Sequence, residues 1–311
     1  MSMAAGLPVC ARVHTVSALI CVGQRVRHHN TAEATPPLHT NYPSIHGVVS
    51  VQNERGRFLG QTLYSPHSQI RLRLLEPSDR PVAPAWWEER LGRAAALRRE
   101  IDSTAYRVLH GEGDGLPSLI VHRYDRWLVV QLLSAGLETM RATILDALVR
   151  VLRPDGILLR NDASVRRHEA LAETVELVYG NVPQEIEIKE SGVRYFAAPW
   201  TGQKTRAFLD QRPNRIRAGE LAAPWGRALD CFAYNGSFAL HLACRSANVM
   251  ALDTSSDALM RGARNAELNG LSNVLLPCSE SRISGEHCSS RAGQRAVAHR
   301  GGAPGPRGGP S

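Results

Sequence analysis

Asp230, Asp253 and the glycine-poor turn between them are the residues whose types and spacing could do chemistry. Asp230 closes the apolar run Arg227-Ala-Leu-Asp, and beyond a turn through Phe232, Ala233, Tyr234, Asn235 and Gly236 the chain resumes at helical spacing toward Ala243. Asp253 closes a second run, Asn248-Val-Met-Ala-Leu-Asp. The order is strand, loop, helix, strand. In a doubly wound α/β sheet the carboxyl ends of neighbouring strands open onto one crevice, so both carboxylates face it, with Asp253 suited to ribose hydroxyls. A nucleoside-bearing cofactor is the implied ligand.

The loop bears on which cofactor that is. A dinucleotide's pyrophosphate needs G-x-G-x-x-G so that backbone amides can approach it, whereas Phe232 to Ser237 offers one glycine among bulkier residues. S-adenosylmethionine carries no phosphate and tolerates such a turn; a nicotinamide site stays open as the alternative. Just upstream, Gly202-Gln-Lys-Thr-Arg-Ala-Phe-Leu-Asp-Gln-Arg-Pro-Asn-Arg215 mixes basic groups, a carboxylate, amides and an aromatic. Such a mixture beside the expected crevice favours a site role over a solvated charge run.

These groups need a scaffold. The chain has 311 residues, 43% hydrophobic and 21% charged, which is ordinary for a soluble globular protein with room for two modest domains. No apolar run reaches about 18 residues, so no membrane span is expected. The six cysteines form no C-x-x-C pair and the histidines are scattered, so reduced thiols, a cytoplasmic location and no metal site are expected. The net charge is +8, but residues 1–45 hold three Arg against one Glu and residues 275–311 hold five Arg against two Glu. Much of the basicity therefore sits at the ends, and composition argues only weakly for RNA.

Residues 1–45 show no sustained periodicity and read as poorly ordered. From Gly47, short strand-like runs follow at Val48–Val51, Phe58–Tyr64 and Gln69–Leu75. Ile70, Leu72 and Leu74 alternate with Arg71 and Arg73, which predicts one apolar face and one face presenting guanidinium groups, to phosphate or to solvent. Pro81 to Glu100 reads as a helix burying Trp86, Leu91, Ala94, Ala95 and Leu97. Further strands are expected at Tyr106–Leu109, Leu116–His122, Trp127–Leu133 and Gly156–Leu159, with a helix from about Leu137 to Leu152 and a hairpin pairing Glu185–Lys189 with Val193–Ala197. Beyond Asp253, Ser255-Ser256 cap a helix ending at Asn269-Gly270, and Val274 starts a third strand. Cys231 and Cys244 read as small buried thiols. From Pro277 the composition turns to Ser, Gly, Arg and Pro, which reads as a disordered tail.

Taken in order, several stretches resemble one family. They are Gly56-Arg-Phe-Leu-Gly60, Tyr64-Ser-Pro-His-Ser-Gln-Ile-Arg-Leu-Arg73, Gly111-Glu-Gly-Asp-Gly-Leu-Pro117, Gln131-Leu-Leu-Ser-Ala135, Gly202-Gln-Lys-Thr205 with Phe208-Leu-Asp-Gln-Arg212, and Asp230-Cys-Phe-Ala-Tyr-Asn-Gly-Ser-Phe238. The chain is similar over about Gly47 to Val274 to the bacterial large-subunit ribosomal RNA cytosine-C5 methyltransferases, which join a PUA domain, a small α/β module and a class I methyltransferase domain. The implied fold is α/β: an incomplete Rossmann-like methyltransferase sheet preceded by a partial PUA-like β unit and a small α+β module. The resemblance divides the chain into an unmatched 1–45, a PUA-like unit at 46–80, a linking helix at 81–103, the small module at 104–199, the methyltransferase part at 200–276 and a tail at 277–311.

The resemblance also implies roles. S-adenosylmethionine is the cofactor and large-subunit ribosomal RNA the partner. Asp230, Phe232, Tyr234, Gly236 and Phe238 belong to the cofactor turn, Asp253 to the ribose, and Lys204, Thr205, Phe208, Asp210, Gln211 and Arg212 to a segment closing over the cofactor, while Arg71 and Arg73 hold RNA. Arg206 stands where the family has glycine. In the family a cysteine thiolate adds to ring carbon six so that carbon five can take the methyl group, and a base then removes the proton. The region that carries this cysteine has no counterpart after Val274, so no catalytic residue is assigned. A truncated, inactive form is expected, with a non-catalytic RNA-binding protein as the alternative and unmatched ends that read like a shifted frame or a join.

Overall fold

The computed structural model describes residues 25–28, 47–53, 55–201 and 207–277. They form four sheets. The first is antiparallel, in the order β1 (Arg25–His28), β2 (Gly47–Gln52), β3 (Phe58–Tyr64), β4 (Leu72–Glu76). The strand at Arg25–His28 corrects the expectation of no order before residue 46: it pairs with Val49–Gln52. The rest of 1–45, and the tail from 278, lie outside the described residues.

The second sheet has five strands in sequence order: β5 (Ala105–His110), β6 (Leu119–Tyr124), β7 (Trp127–Leu132), β8 (Gly156–Asn161) and β9 (Thr174–Gly180). Neighbours are antiparallel except β7 and β8, whose parallel pairing needs the crossover made by α2 (Ala135–Thr139) and α3 (Arg141–Leu152). The expected helix thus divides at Met140, whose backbone (φ −95°, ψ 6°) leaves the helical range. Strand β9 had no expectation; Val175, Leu177 and Tyr179 alternate along it but stand exposed at the sheet edge.

Helix α1 (Pro84–Ala96) starts with proline where a missing amide costs nothing, and buries both Trp86 and Trp87 with Leu91 and Ala94. Leu97, just past its end, is exposed. This helix and α3 cover one face of the second sheet, in a core with Val121, Leu128, Ile157 and Leu159. The opposite face carries Tyr124, Val129 and Leu158 and is covered by a hairpin, β10 (Ile186–Glu190) with β11 (Val193–Ala197), as expected for that pair.

The fourth sheet holds the candidate site. Strands β12 (Arg227–Cys231), β13 (Asn248–Leu252) and β14 (Val274–Leu275) are parallel, in that order. The preceding helix is α4 (Arg212–Leu221); α5 (Ser237–Ala243) and α6 (Ser256–Leu268) are the crossovers. Ala239 and Ala243 of α5 pack on Val249 and Ala251. As expected, Ser255 caps α6 by accepting the Ala258 amide at 3.3 Å, and the helix runs out at Asn269 before Gly270. The order matches the first three strands of a doubly wound sheet, with β12 at the edge where a fourth would add. No described helix is long and apolar enough to cross a membrane.

Arg73 departs from the alternation. Leu72 packs with Val49, Val51 and Tyr64 on one side of β4, while Arg73 and Leu75 turn toward the second sheet and its helices. Arg73 is buried there against Glu169 at 2.7 Å, with Ser68 Oγ at 3.2 Å and Ser65 Oγ at 3.4 Å. Both faces of the strand are covered, so the simple apolar/polar alternation fails, and Leu74 with Ile70 is left exposed. Arg73 is committed to an internal pair and is not available to RNA; Arg71 is exposed.

Candidate cofactor site

Asp230 is held by one backbone bond, accepting the Ala239 amide of α5 at 3.0 Å. Asp253 accepts two, from Tyr234 at 2.8 Å and Ser255 at 2.9 Å. The second carboxylate therefore ties the turn after β12 to the end of β13. The turn is further closed by the Ala233 amide on the Leu252 carbonyl (2.9 Å) and the Gly236 amide on the Ala233 carbonyl (2.8 Å). Its backbone enters the left-handed region three times, at Phe232 (φ 63°), Tyr234 (φ 54°) and Gly236 (φ 76°). Glycine adopts this freely, but each aromatic residue costs on the order of 1 kcal/mol, which the surrounding bonds must offset. A side chain at Gly236 would meet Gly262 of α6 at van der Waals contact, 3.4 Å away.

Strain of this kind directs side chains outward. Phe232 is 88% exposed at the mouth of the turn. Tyr234 lies under the Arg261 guanidinium, 5.6 Å from its ring centre, and meets Phe208 edge to face at 5.4 Å. Phe208, itself left-handed at φ 43°, thus brings the upstream segment onto the turn. Phe238 is the second residue of α5 and half-buried.

The remaining expected residues divide. Asp210 is exposed; Gln211 accepts from Asn214 at 2.9 Å at the start of α4. Arg212 lines a separate surface hollow with Glu100, Asp102 and Glu220, to which no residue of the turn contributes. Lys204, Thr205 and Arg206 lie outside the described residues. Cys231 and Cys244 are both exposed, against expectation, because β12 is an edge strand and Cys244 closes the short α5. Burial nevertheless pushes the Cys244 thiol up, the opposite of what a nucleophile needs.

Sequence reading missed two supports. Asn265 of α6 is buried, donates to the Asn235 carbonyl of the turn at 3.0 Å and accepts the Phe196 amide of β11 at 3.0 Å. Arg215 of α4 is fully buried and grips both oxygens of fully buried Glu190 at 2.7 Å, while its Nη1 reaches the Phe208 carbonyl at 3.1 Å. Tyr195 and His241 complete the shell of Glu190, at 2.9 and 3.1 Å. Burial raises the Glu190 carboxyl, but these bonds outweigh it and hold it down at about 2. Two polar residues, 25 apart in sequence, carry no local signal of pairing.

Burial pushes the Asp230 carboxyl up, against the Ala239 amide, and the neighbouring Asp253 charge pushes it further. Two adjacent carboxylates, each with lone pairs left beyond their backbone bonds, favour a ligand that brings hydroxyl donors and positive charge. S-adenosylmethionine fits this donor set: ribose hydroxyls, an ammonium and a sulfonium. Pyrophosphate does not fit it.

Comparison with known proteins bears on the family and the fold. A family model described as S-adenosylmethionine-dependent methyltransferase matches residues 106–277, and one for a PUA-like domain matches 43–77. Ribosomal RNA large subunit methyltransferase I of Vibrio cholerae is 35% identical over 234 residues, covering 73% of this chain and 59% of that protein. The protein of the same name from Erwinia tasmaniensis is 38% identical over 233 residues, 72% of this chain and 58% of that one. The chain thus spans just under three-fifths of these relatives. Among solved structures, a putative SAM-dependent methyltransferase from Streptococcus mutans superposes with a TM-score of 0.65 at 20% identity, covering 76% of this chain and 63% of that one. A putative methyltransferase complexed with SAH gives 0.62 at 20%, covering 73% and 61%. The fold is a Rossmann-like methyltransferase sheet preceded by a PUA-like β unit.

Proposed function

Since the chain belongs to the S-adenosylmethionine-dependent methyltransferase family, we propose that it holds this donor between Asp230 and Asp253 and serves methylation of large-subunit ribosomal RNA at carbon five of a cytosine, in the cytoplasm. The observation that carries the reading is the strained turn from Phe232 to Gly236 pinned by Asp253. The donor, when bound, supplies a methyl group on a positively charged sulfur. Asp253 takes the ribose hydroxyls, Asp230 the positively charged end, and Phe232 with Tyr234 excludes water from one side. Phe208, Asp210 and Gln211, with Lys204 and Thr205, form the covering segment; Arg212 is left out of it because it lines another hollow. Relatives named as methyltransferases of large-subunit ribosomal RNA support the substrate class, and exposed Arg71 on the PUA-like sheet is the group offered to phosphate.

Cytosine carbon five is a poor nucleophile without prior addition of a thiolate to the ring. Neither described cysteine is placed for that step, so on this reading neither Cys231 nor Cys244 is the group that adds to the ring. Calorimetry with S-adenosylhomocysteine tests the donor site. Binding that weakens about 10- to 100-fold in Asp253→Ala, the loss expected for a charge-assisted hydrogen-bond pair, supports it. Equal affinity in wild type and variant, or tighter binding of NAD, defeats it. Label incorporation into ribosomal RNA fragments that is lost in Cys231→Ser or Cys244→Ser alone, with donor binding intact, would overturn that exclusion.

A further inference from the structure

On the face of the second sheet that turns toward α4 and β12–β14, Arg107 of β5 stands in register with His122 of β6. Its Nε donates to His122 Nε2 at 2.9 Å, and its Nη1 to His110 Nδ1 at 2.9 Å. A guanidinium has no lone pair to offer, so both ring nitrogens must be acceptors. Each neutral ring then carries its proton on the other nitrogen, Nδ1 of His122 and Nε2 of His110. Burial first, and the Arg107 charge second, depress the basicity of His122 to about 3, so its ring stays neutral. Its Nδ1 is buried with no hydrogen-bond partner among the described residues.

Arg107 differs from most buried or half-buried arginines of the chain. Arg73, Arg90, Arg98 and Arg215 each spend their charge on a carboxylate. Arg107 has no carboxylate partner among the described residues; two neutral imidazoles orient it and leave its charge uncancelled. The nearest acidic groups do not change this. Asp114 accepts the His110 amide at 2.7 Å but is gripped by Arg98 at 2.6 and 2.9 Å. Asp210 acts on His122 only through space, and is exposed. A cation held in place at Nε and Nη1, with Nη2 bonded to no described group, suits an anion with several oxygens.

Its place gives the anion an identity. The short turn Leu209–Gln211 packs against β5, and the residue before it, Phe208, touches Tyr234 in the donor turn. We infer that Arg107, oriented by His110 and His122, is a phosphodiester site for the RNA substrate, holding one backbone phosphate beside the segment whose Phe208 touches the donor turn. This rests on the RNA-methyltransferase reading above. Phosphate contacts fix the register of a nucleic acid and leave sequence to be read elsewhere.

Fluorescence anisotropy of the full chain with a labelled single-stranded RNA of about 15 nucleotides, across a salt series, tests it. Arg107→Gln is expected to weaken binding about fivefold and to lower the slope of log affinity against log salt by about 0.7, one phosphate's worth for a single strand. His110→Asn, at an exposed position that does not endanger folding, is expected to weaken binding about twofold, by loss of the ring nitrogen that orients Arg107. Both variants should keep wild-type affinity for S-adenosylhomocysteine, which reports an intact fold. RNA bound equally well, with the same slope, by wild type and both variants overturns the phosphate site and leaves the RNA reading standing. A wild-type chain that binds no RNA overturns both.

Discussion

Where β4 meets the second sheet, charge is buried and apolar surface is closed off; across the outer face of β12–β14, apolar side chains stand in solvent. At the first place Arg73, Glu169, Ser65 and Ser68 bond to one another, and Glu169 also accepts the Ala135 amide at 3.1 Å. The backbones come so close that a side chain on Gly136 would lie 2.9 Å from Leu63 Cβ. At the second, Leu229, Met250 and Leu275 are 58%, 41% and 56% exposed. Inner residues Val249 and Ala251 of the same strands are buried under α5. The contrast teaches that, among the described residues, the donor sheet is anchored from one side. Its helices join the rest through a shared core, in which Leu240 and Ala266 pack with Ile188 and Tyr195, and through Arg215 on Glu190.

The largest expected effect comes from cutting that anchor. Glu190→Ala leaves the Arg215 charge buried without a partner, and should cost about 3–5 kcal/mol in urea unfolding. A loss below about 1 kcal/mol would mean that the ion pair does not hold the two parts together. Acid tests the same group without mutation. The folded carboxyl lies at about 2 against an ordinary 4.5, so its contribution, about 3 kcal/mol, is fully present above roughly pH 4.5 and is lost as pH falls toward 2. Glu190→Gln should flatten that part of the stability profile.

Arg73→Ala and Arg71→Ala sharpen the comparison at an intermediate level. Removing Arg73 strands Glu169 and should destabilise by about 2–3 kcal/mol, with the affinity of the folded protein for RNA unchanged. Removing exposed Arg71 should shift stability by less than about 0.5 kcal/mol while lowering the salt slope of RNA binding by about 0.7. The reverse pattern would return Arg73 to the RNA surface. The smallest stability change is expected at the open face: Leu229→Ser should move the unfolding midpoint by less than about 0.5 kcal/mol, yet reduce self-association in light scattering. A cost of several kcal/mol there would show that the face is covered in solution.

Local rules made much of this legible. Ser255-Ser256 announced the cap of α6, and a strand–turn–strand pattern announced the hairpin β10–β11. Asp230 and Asp253 were readable because a carboxylate at the end of an apolar run, followed by a helix, has few other meanings in a parallel sheet. Their convergence on one turn required the pairing of β12 with β13. The misread strand residues share one cause. Whether Arg73 faces water or Glu169, and whether Cys231 is covered, depends on what packs on the outer side of a strand, and that neighbour is up to 96 residues away in the chain.

By itself the sequence determined the periodicities, caps and turn residues, hence the succession of strands and helices and the acidic tips of β12 and β13. Only the tertiary structure decided which guanidinium groups are spent inside the protein and which keep their charge, as Arg215 and Arg107 show. Local pattern is written by backbone geometry and solvent exposure within a few residues. The partner of a buried charge is chosen by desolvation, which acts only once distant segments have been brought together.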